Sequence, residues 1–244
     1  MSEFDYFEFQ LKFRGSPEEV KERMRVHVAR FADCENVLDL GCGRGEFLEL
    51  LREAGISAGG VDREPRMVEA CLGRGLDVVE ADALSHLASL EDESIGGVFT
   101  AHLIEHVPHE AQVRLINLCR VKLRPGSPIV IETPNPLSLA ALPHELTLDP
   151  THQKLVHPQL LTFMLTSAGF SVVEVVALQP FAPTNLLEPV NADRLGDPST
   201  PDWVKALNRN FARLNQLLFR PQDYAVVARK PAPHPRVRKR KSAR

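Results

Sequence analysis

A glycine-rich segment after the first predicted strand is the clearest chemical signal in this chain. Residues 37–45 read VLDLGCGRG. Glycines at the end of a strand let a ligand approach the backbone, and the helix that follows offers free N–H groups. The GxGxG spacing differs from the GxGxxG of a dinucleotide fold, and Asp39 would repel a pyrophosphate but can help to hold a cation. The segment therefore predicts a ligand site, with a purely structural strand–helix turn as the alternative.

Acidic residues also accompany the next two predicted strands. Asp62 ends the second strand, where a carboxylate suits the two hydroxyls of a ribose. Asp82 lies just beyond the third strand, where it can accept a hydrogen bond from an adenine amino group. Either acid alone would be an ordinary loop residue. Together with Asp39 they form a stronger pattern, which indicates a nucleoside-containing ligand.

These motifs resemble those of class I S-adenosylmethionine-dependent methyltransferases. The matching strings are VLDLGCGRGEF, GVDREPRMV, EADAL and LRPG, within residues 37–176, and the last strand in DYAVVARK adds to them. The resemblance implies that Asp39, Gly41 and Gly43 hold the methionine part of S-adenosyl-L-methionine. It also implies that Asp62 binds the ribose and Asp82 meets the adenine.

Four further residues complete the expected cofactor site. Arg63 and Ala83 directly follow the two nucleoside-binding acids, and His102 follows the fourth predicted strand. The carboxylate of the cofactor needs a cation, and Arg14 could supply a bidentate contact. A solvated surface charge is the alternative for Arg14.

The fourth predicted strand runs into His102-Leu103-Ile104-Glu105-His106. Read alone, His-x-x-Glu-His matches an inverted zinc-peptidase motif, but no acidic ligand helix follows it. In the resembled fold this place lies beside the transferred methyl group. Some related O-methyltransferases carry Glu-x-x-Glu-His here and bind a divalent ion. Because His102 replaces the first Glu, we expect no metal.

Methyl transfer to a hydroxyl requires removal of its proton, and a histidine with a pKa near neutrality suits that task. We expect His106 to be the general base and Glu105 to orient it. His106 could instead cap a helix or pack under a loop. His152 and His157 lie in an irregular segment that should cover the acceptor, so either could be the base instead.

A finer resemblance concerns the acceptor. FEFQLKFRGSPEEVKER, IETPNPLSL and LDPTHQKLVHP look like bacterial surface-glycan methyltransferases, such as the methyltransferase portion of O-antigen chain-terminating methyltransferase–kinases. The resemblance implies O-methylation of a sugar hydroxyl on a saccharide or lipid-linked glycan acceptor. The alternatives are a quinone or other small-molecule O-methyltransferase and a non-catalytic protein that binds S-adenosylmethionine.

Alternating strand and helix patterns predict an α/β fold. The resemblance makes it a Rossmann-like, doubly wound, mostly parallel seven-stranded sheet with an antiparallel last strand. We expect a helical N-terminal cap over residues 1–35, the methyltransferase domain over 36–230 and a disordered basic tail over 231–244. Acceptor-side loops are predicted at 133–158 and 179–201.

Charge is distributed unevenly. Residues 229–244 carry eight Lys or Arg and no acid, so the rest of the chain, with 21 basic and 32 acidic residues, has a net charge of −11. An acidic body repels phosphates, which argues against a nucleic-acid partner. The tail could touch an anionic membrane peripherally. Four scattered cysteines and an acidic N-terminus without an apolar run indicate a cytoplasmic protein.

Overall fold

A computed structural model describes residues 4–191 and 201–232. Within these residues, seven strands form one sheet in the order β3-β2-β1-β4-β5-β7-β6. The strands are β1 (Val37–Leu40), β2 (Ala58–Asp62), β3 (Val78–Glu80), β4 (Gly97–Ala101), β5 (Pro128–Pro134), β6 (Ser171–Leu178) and β7 (Asp223–Arg229). β7 is antiparallel to both β5 and β6, whereas β1 to β5 are parallel. The predicted fold class is confirmed.

The helices flank this sheet. They are α1 (Tyr6–Phe13), α2 (Pro17–Met24), α3 (Glu46–Glu53), α4 (Pro65–Leu72), α5 (Ala83–Ser89), α6 (His109–Lys122), α7 (Leu142–Thr147), α8 (Pro158–Ser167) and α9 (Asp202–Leu218). Short 3-10 segments cover Arg25–Phe31, Ile104–His106 and Pro183–Asn185. No helix in the described ranges combines the length and apolarity needed to cross a membrane.

Alternation along the strands divides the core into two layers. In β5, Ile129 and Ile131 pack with residues of α5, α6 and α8, whereas Val130 points to the opposite layer with α2 and α3. In that second layer, the rings of Phe47 and Phe99 stack with centroids 3.7 Å apart. With both faces of the sheet covered, the strand ends are left as the place for polar chemistry.

The N-terminal segment is more structured than its sequence pattern predicts. Ser16 and Glu19 form the expected reciprocal capping box at the start of α2. The run Ser16-Pro17-Glu18-Glu19 predicts the start of one helix that continues to about Phe31. The prediction is wrong in the second half of that helix, because α2 ends at Met24 and a 3-10 segment continues to Phe31. The ambiguous residues before it form α1, which Asp5 caps by accepting a hydrogen bond from the Glu8 N–H.

The predicted acceptor-side segments are only partly loops. Residues 133 and 134 still belong to β5, and α7 interrupts the segment 133–158. α5 was not expected from the sequence, although Asp82 caps it as a helix N-terminus requires. The tail predicted at 231–244 is described only to Ala232, and residues 192–200 of the second segment lie outside the described residues.

Candidate functional site

A cleft of about 380 Å³ opens at the carboxyl ends of β1, β2 and β4. α1 and α2 lie over it and contribute Tyr6, Phe9 and Met24 to its lining, and Arg14 lines it from the turn between them. The segment 144–152 lines it from another side with His144, Glu145, Leu148, Asp149 and His152. Ligand sites of open parallel sheets lie outside these strand ends, so the fold places the predicted motifs where they can act together.

The glycine loop lies at the floor of this cleft. Gly41 and Gly43 have φ values of +71° and +53°, a backbone conformation that residues other than glycine rarely adopt. A Cβ atom on Gly43 would collide with the guanidinium of Arg14. One on Gly41 would lie 3.3 Å from Leu103 Cδ1. The two glycines therefore keep the backbone accessible at the point where both line the cleft.

The two nucleoside-binding candidates also line the cleft. Asp62 accepts hydrogen bonds from the N–H groups of Gly43 at 2.8 Å and Glu64 at 2.9 Å, one on each carboxylate oxygen. Each oxygen keeps a further lone pair, which suits it to accept a hydrogen bond from a ribose hydroxyl. Asp82 uses Oδ1 to cap α5 through Ser85.

Asp39 is the predicted cofactor residue that the structure places outside the cleft lining. It is buried beneath the glycine loop, and burial raises the pKa of its carboxyl well above its usual value against the opposing effect of Arg14. Arg63, Ala83, His102 and Arg14 all line the cleft as predicted.

These residues fit the cofactor that the sequence motifs imply. The cradle at Gly41 and Gly43 leaves space for a ligand against the backbone, and the guanidinium of Arg14 lies beside it to meet a carboxylate. Asp62 lies on the same cleft wall as a hydroxyl acceptor. The cleft thus offers the Arg14 cation to the carboxylate of the cofactor and the Asp62 anion to its ribose hydroxyls, as a nucleoside that carries an amino acid requires.

His102 sits among three carboxylates. Its Nδ1 atom lies 3.3 Å from Glu105 Oε1, and its Nε2 atom lies 3.8 Å from Glu132 Oε1 and 3.9 Å from Asp223 Oδ2. Burial alone would lower the pKa of His102, but Asp223, Glu105 and Glu132 outweigh it and raise the pKa to about 9. His102 also has a φ of +54°, which is uncommon outside glycine and typical of strained functional sites.

Two of the three carboxylates around His102 have a fixed second partner. Glu132 Oε2 lies 2.6 Å from His27 Nε2, and Glu105 Oε2 accepts a hydrogen bond from the Thr133 hydroxyl at 2.9 Å. Glu105 is fully buried and does not line the cleft. Burial raises the pKa of Asp223 to about 7, although His102 opposes that shift. The three carboxylates are buried, whereas the side chain of His102 at their centre is 36% exposed and opens into the cleft.

His106 belongs to a second network on the acceptor side. Its Nδ1 atom lies 2.8 Å from the Thr151 hydroxyl, and that hydroxyl donates to Asp149 Oδ1 at 2.6 Å. Tyr6 donates to the other oxygen of Asp149 at 3.4 Å. The ring of His152 packs against that of His106, with centroids 4.6 Å apart. Burial lowers the pKa of His106.

His157 does not line the cleft. It caps the N-terminus of α8, where its Nδ1 accepts a hydrogen bond from the Gln159 N–H at 3.1 Å. The sequence-based candidate base at this position is therefore a helix cap in the structure. His152 does line the cleft, and its Nδ1 is 2.6 Å from the Glu145 carbonyl oxygen.

Five participants were missed from the sequence: His27, Glu132, Asp149, Thr151 and Asp223. A signal existed for two of them. Glu132 lies at the end of the apolar run of β5, and Asp223 begins β7, so both are acids at strand ends. His27 could not be found this way, because it pairs with a residue 105 positions later.

Two groups of side chains are spaced so that each could surround a cation. Ligand atoms of Glu105, His106 and His152 lie within 4.8 Å of one another, as do those of a second group, His102, Glu132 and Asp223. In the second group His102 itself supplies positive charge between the acids. The sequence-based expectation that no metal is needed stays a prediction.

Comparison with known proteins identifies the family. A family described as "Methyltransferase domain" matches residues 15–175, which is more than half of the chain. The crystal structure of an S-adenosylmethionine-dependent methyltransferase from Archaeoglobus fulgidus superposes with a TM-score of 0.85 at 42% sequence identity, covering 92% of this chain and 99% of that one.

Curated relatives are more distant. A Mycolicibacterium smegmatis protein named "Probable S-adenosylmethionine-dependent methyltransferase" is 28% identical over 59% of this chain, and the match spans only 54% of that protein. A ubiquinone biosynthesis O-methyltransferase of Hydrogenovibrio crunogenus is 30% identical over 60% of this chain and 67% of its own length. With the glycine cradle and the nucleoside-binding acids in place, the chain belongs to the S-adenosylmethionine-dependent methyltransferase family.

Proposed function

We propose that this methyltransferase acts on an acceptor hydroxyl and that His106 removes the hydroxyl proton. The observation that carries the proposal is the hydrogen-bonded chain from Asp149 through Thr151 to His106. The bound cofactor supplies an electrophilic methyl group on a sulfonium. A hydroxyl is a weak nucleophile until its proton is taken, so a base positioned in the cleft supports O-methylation.

The chain of hydrogen bonds defines which nitrogen of His106 is free. The Thr151 hydroxyl has one proton, and it donates that proton to Asp149. Thr151 can therefore only accept from His106, so Nδ1 carries the ring proton. This leaves Nε2 with its lone pair, on a ring that lines the cleft. A base needs such a lone pair. Acting through Thr151, Asp149 fixes the orientation of the His106 ring, in the way that an acid orients a catalytic histidine.

The electrostatics of the two histidines separate their tasks. Burial lowers the pKa of His106, so it is neutral at pH 7 and able to accept a proton. The carboxylates around His102 raise its pKa to about 9, so it is protonated and able only to donate. Environments that push the pKa values of two titratable groups apart in this way are typical of acid–base pairs.

We favour a saccharide or lipid-linked glycan acceptor. The acceptor side of the cleft is lined by polar side chains that can share hydrogen bonds with several hydroxyls, among them Glu145, Gln179, Gln222 and Asp223. Several donors and acceptors on one wall suit a polyhydroxylated ring. The IETPNPLSL and LDPTHQKLVHP segments, on which the glycan resemblance depends, lie next to this wall or contribute to it.

A phenolic or quinol acceptor is the second candidate. Relatives named as ubiquinone biosynthesis O-methyltransferases favour it. Tyr6, Phe9 and Leu148 also line the cleft and could pack against an aromatic ring. A flat, apolar acceptor would need these contacts, whereas a sugar would rely on Gln179 and Gln222.

The decisive experiment is methyl transfer from isotope-labelled S-adenosylmethionine to a panel of saccharides, nucleotide sugars, catechols and quinols. We expect a saccharide O-methyl ether, identified by mass spectrometry. Gln222→Leu should raise KM for the saccharide, with Gln159→Leu, at an exposed position of α8 outside the cleft lining, as the matched control. Methylation of only the catechols would support the second candidate. Methylation of amines alone would contradict O-methylation altogether.

A further inference from the structure

α9 is a 17-residue helix whose outer face is uncovered within the part of the chain that the structure describes. Its one buried side chain is Val204. The side of the helix next to Val204 is attached through Asn208 and Asn215, which exchange hydrogen bonds of 2.8–3.1 Å with the backbone of Val190 and Leu187. The opposite arc of the helix therefore faces solvent.

That arc carries an apolar strip. Trp203 is 59% exposed, Leu214 is 40% exposed and Leu217 is 53% exposed. Because Leu214 and Leu217 follow Trp203 by about three and about four helical turns, all three project on the same side. Large apolar side chains aligned along an exposed helix mark an interaction surface rather than random surface composition.

A row of cations borders this strip. Lys205, Arg209 and Arg213 are exposed and spaced four residues apart, so they lie above one another on the helix. Lys205 pairs with Asp202 at the start of the helix, at 3.1 Å. For Arg209 and Arg213, no carboxylate of the described residues lies within 4.0 Å. The cationic row stands on a body whose net charge is −11 outside residues 229–244.

We propose that this outer face of α9, formed by Trp203, Leu214, Leu217, Lys205, Arg209 and Arg213, binds the surface of an anionic lipid bilayer. An interfacial helix combines an apolar strip that enters the acyl boundary with cations that meet the headgroups. Tryptophan belongs at that boundary, because its ring is apolar and its N–H is polar. Arginine side chains attract anionic headgroups through their charge, so the contact does not depend on which anionic lipid is present.

Two other partners fit the face less well. A second copy of the chain would bring two rows of like charge into one interface, which costs free energy. A nucleic acid would complement the cations but would leave the apolar strip in water and would meet an acidic body. A bilayer satisfies both halves of the face at once.

The C-terminal end of α9 is connected to the cleft. α9 ends at Leu218, whose carbonyl oxygen accepts a hydrogen bond from the Ala140 N–H at 2.9 Å. Asn135 then holds the Pro221 carbonyl oxygen at 2.8 Å, immediately before Gln222 and Asp223 enter the cleft lining. A helix resting on a bilayer would thus hold one wall of the cleft near the membrane. The surface itself does not depend on which acceptor is methylated.

Trp203 is the only tryptophan of the chain, so it reports on this face without labelling. The test is the emission of the full-length protein mixed with phosphatidylglycerol vesicles or with neutral phosphatidylcholine vesicles. We expect a blue shift with the anionic vesicles only, reversed by high salt. We also expect quenching by lipids brominated on the acyl chains, which reports depth of the ring.

Variants separate this helix from the basic tail. Arg209→Gln/Arg213→Gln should weaken the partition to anionic vesicles roughly 30-fold, as expected for two lost cations. The matched control, Arg114→Gln/Arg124→Gln, removes the same charge at exposed positions outside α9 and should change partition much less. Truncation after Lys230 should leave the blue shift of Trp203 intact.

Three results would overturn the proposal. The first is vesicle binding that leaves Trp203 emission unchanged or that disappears with the tail, because another segment would then touch the lipid. The second is a light-scattering mass of a dimer whose dissociation exposes Trp203, because a second copy would then cover the face. The third is no binding to either vesicle. Methyl transfer to a soluble acceptor should proceed in all these variants, so failure of this proposal is distinguishable from failure of the proposed function.

Discussion

His27 Nε2 lies 2.6 Å from Glu132 Oε2, and neither side chain reaches water. The pair joins the N-terminal 3-10 segment to the end of β5, and it thereby fixes the carboxylate whose other oxygen faces His102. The ring of His27 also packs against Phe99, with centroids 5.4 Å apart. One buried contact thus connects the N-terminal cover of the cleft to the acceptor side of the sheet.

Removing one partner of this pair should be strongly destabilising. We expect His27→Leu to lower the free energy of unfolding by about 3 kcal/mol, since it leaves a buried carboxylate without its partner. The double variant His27→Leu/Glu132→Leu should recover part of the loss, because apolar replacement of both partners removes the unpaired group. Urea unfolding measures both. Equal stability of the wild type and His27→Leu would show that the contact contributes nothing.

Asp62 should contribute to cofactor affinity, since it lines the cleft and also holds the Gly43 N–H of the glycine loop. Asp62→Ala should weaken binding of S-adenosylmethionine by about 1–3 kcal/mol, because hydrogen bonds from the ribose to a charged group are lost. Asp77→Ala, at an exposed acid before β3, is the matched control and should bind normally. Isothermal titration calorimetry gives both affinities. Wild-type protein that binds no cofactor would contradict the assignment of the site.

The Thr151 hydroxyl should control the base. His106→Ala should keep cofactor affinity and lose turnover by roughly 10²-fold or more. Thr151→Val should lower kcat by about 10-fold or more with little change in KM, because Nδ1 of His106 loses its acceptor. Thr151→Ser keeps the hydroxyl and should restore kcat.

The pH profile checks the same assignment. Because burial lowers the pKa of His106, the acid limb of kcat/KM should lie below the usual value of 6.5 for histidine. The limb should move in Thr151→Val and return in Thr151→Ser. A pH profile that changes with neither substitution would assign the role of general base to His152.

How far the sequence anticipated this site depends on how local each interaction is. The glycine loop, Asp62 and the capping box at Ser16 were predictable, since their geometry is set within a few residues of the chain. The class of the sheet was also predictable, from alternating strands and helices and from the resemblance to a known family, whereas its strand order comes from the structure.

Side-chain networks were not predictable, because they join residues far apart in sequence. The hydrogen bond between Thr151 and His106 joins residues 45 positions apart in sequence, and the one between Tyr6 and Asp149 joins residues 143 positions apart. His157 illustrates the reverse error. Its place in a loop predicted an exposed candidate base, but the N–H groups at the start of α8 needed an acceptor, and His157 provides it.

A chelator should leave the reaction intact. The resemblance of the sequence implies a glutamate at the position of His102 in metal-binding relatives, and the positive charge of His102 already lies between Glu132 and Asp223. We therefore expect full turnover after dialysis against EDTA. Loss of turnover, with recovery on adding magnesium or zinc, would show that one of the two side-chain groups around His102 and His106 holds a cation.

The charge on His102 should also make stability depend on pH. Its pKa is raised from 6.5 to about 9 by Asp223, Glu105 and Glu132, against the opposing effect of burial. A raised pKa means that the folded state holds the proton more tightly than the unfolded state. The stabilisation is therefore fully present below pH 6.5 and is lost as the pH rises through 9.

His102→Gln should cost more stability at pH 6 than at pH 9.5, measured by urea unfolding at both values. His86→Gln, at a histidine outside the cluster whose pKa burial lowers, should show no such loss toward alkaline pH. Equal losses for His102→Gln at the two pH values would mean that His102 is not the charged centre of the carboxylate cluster.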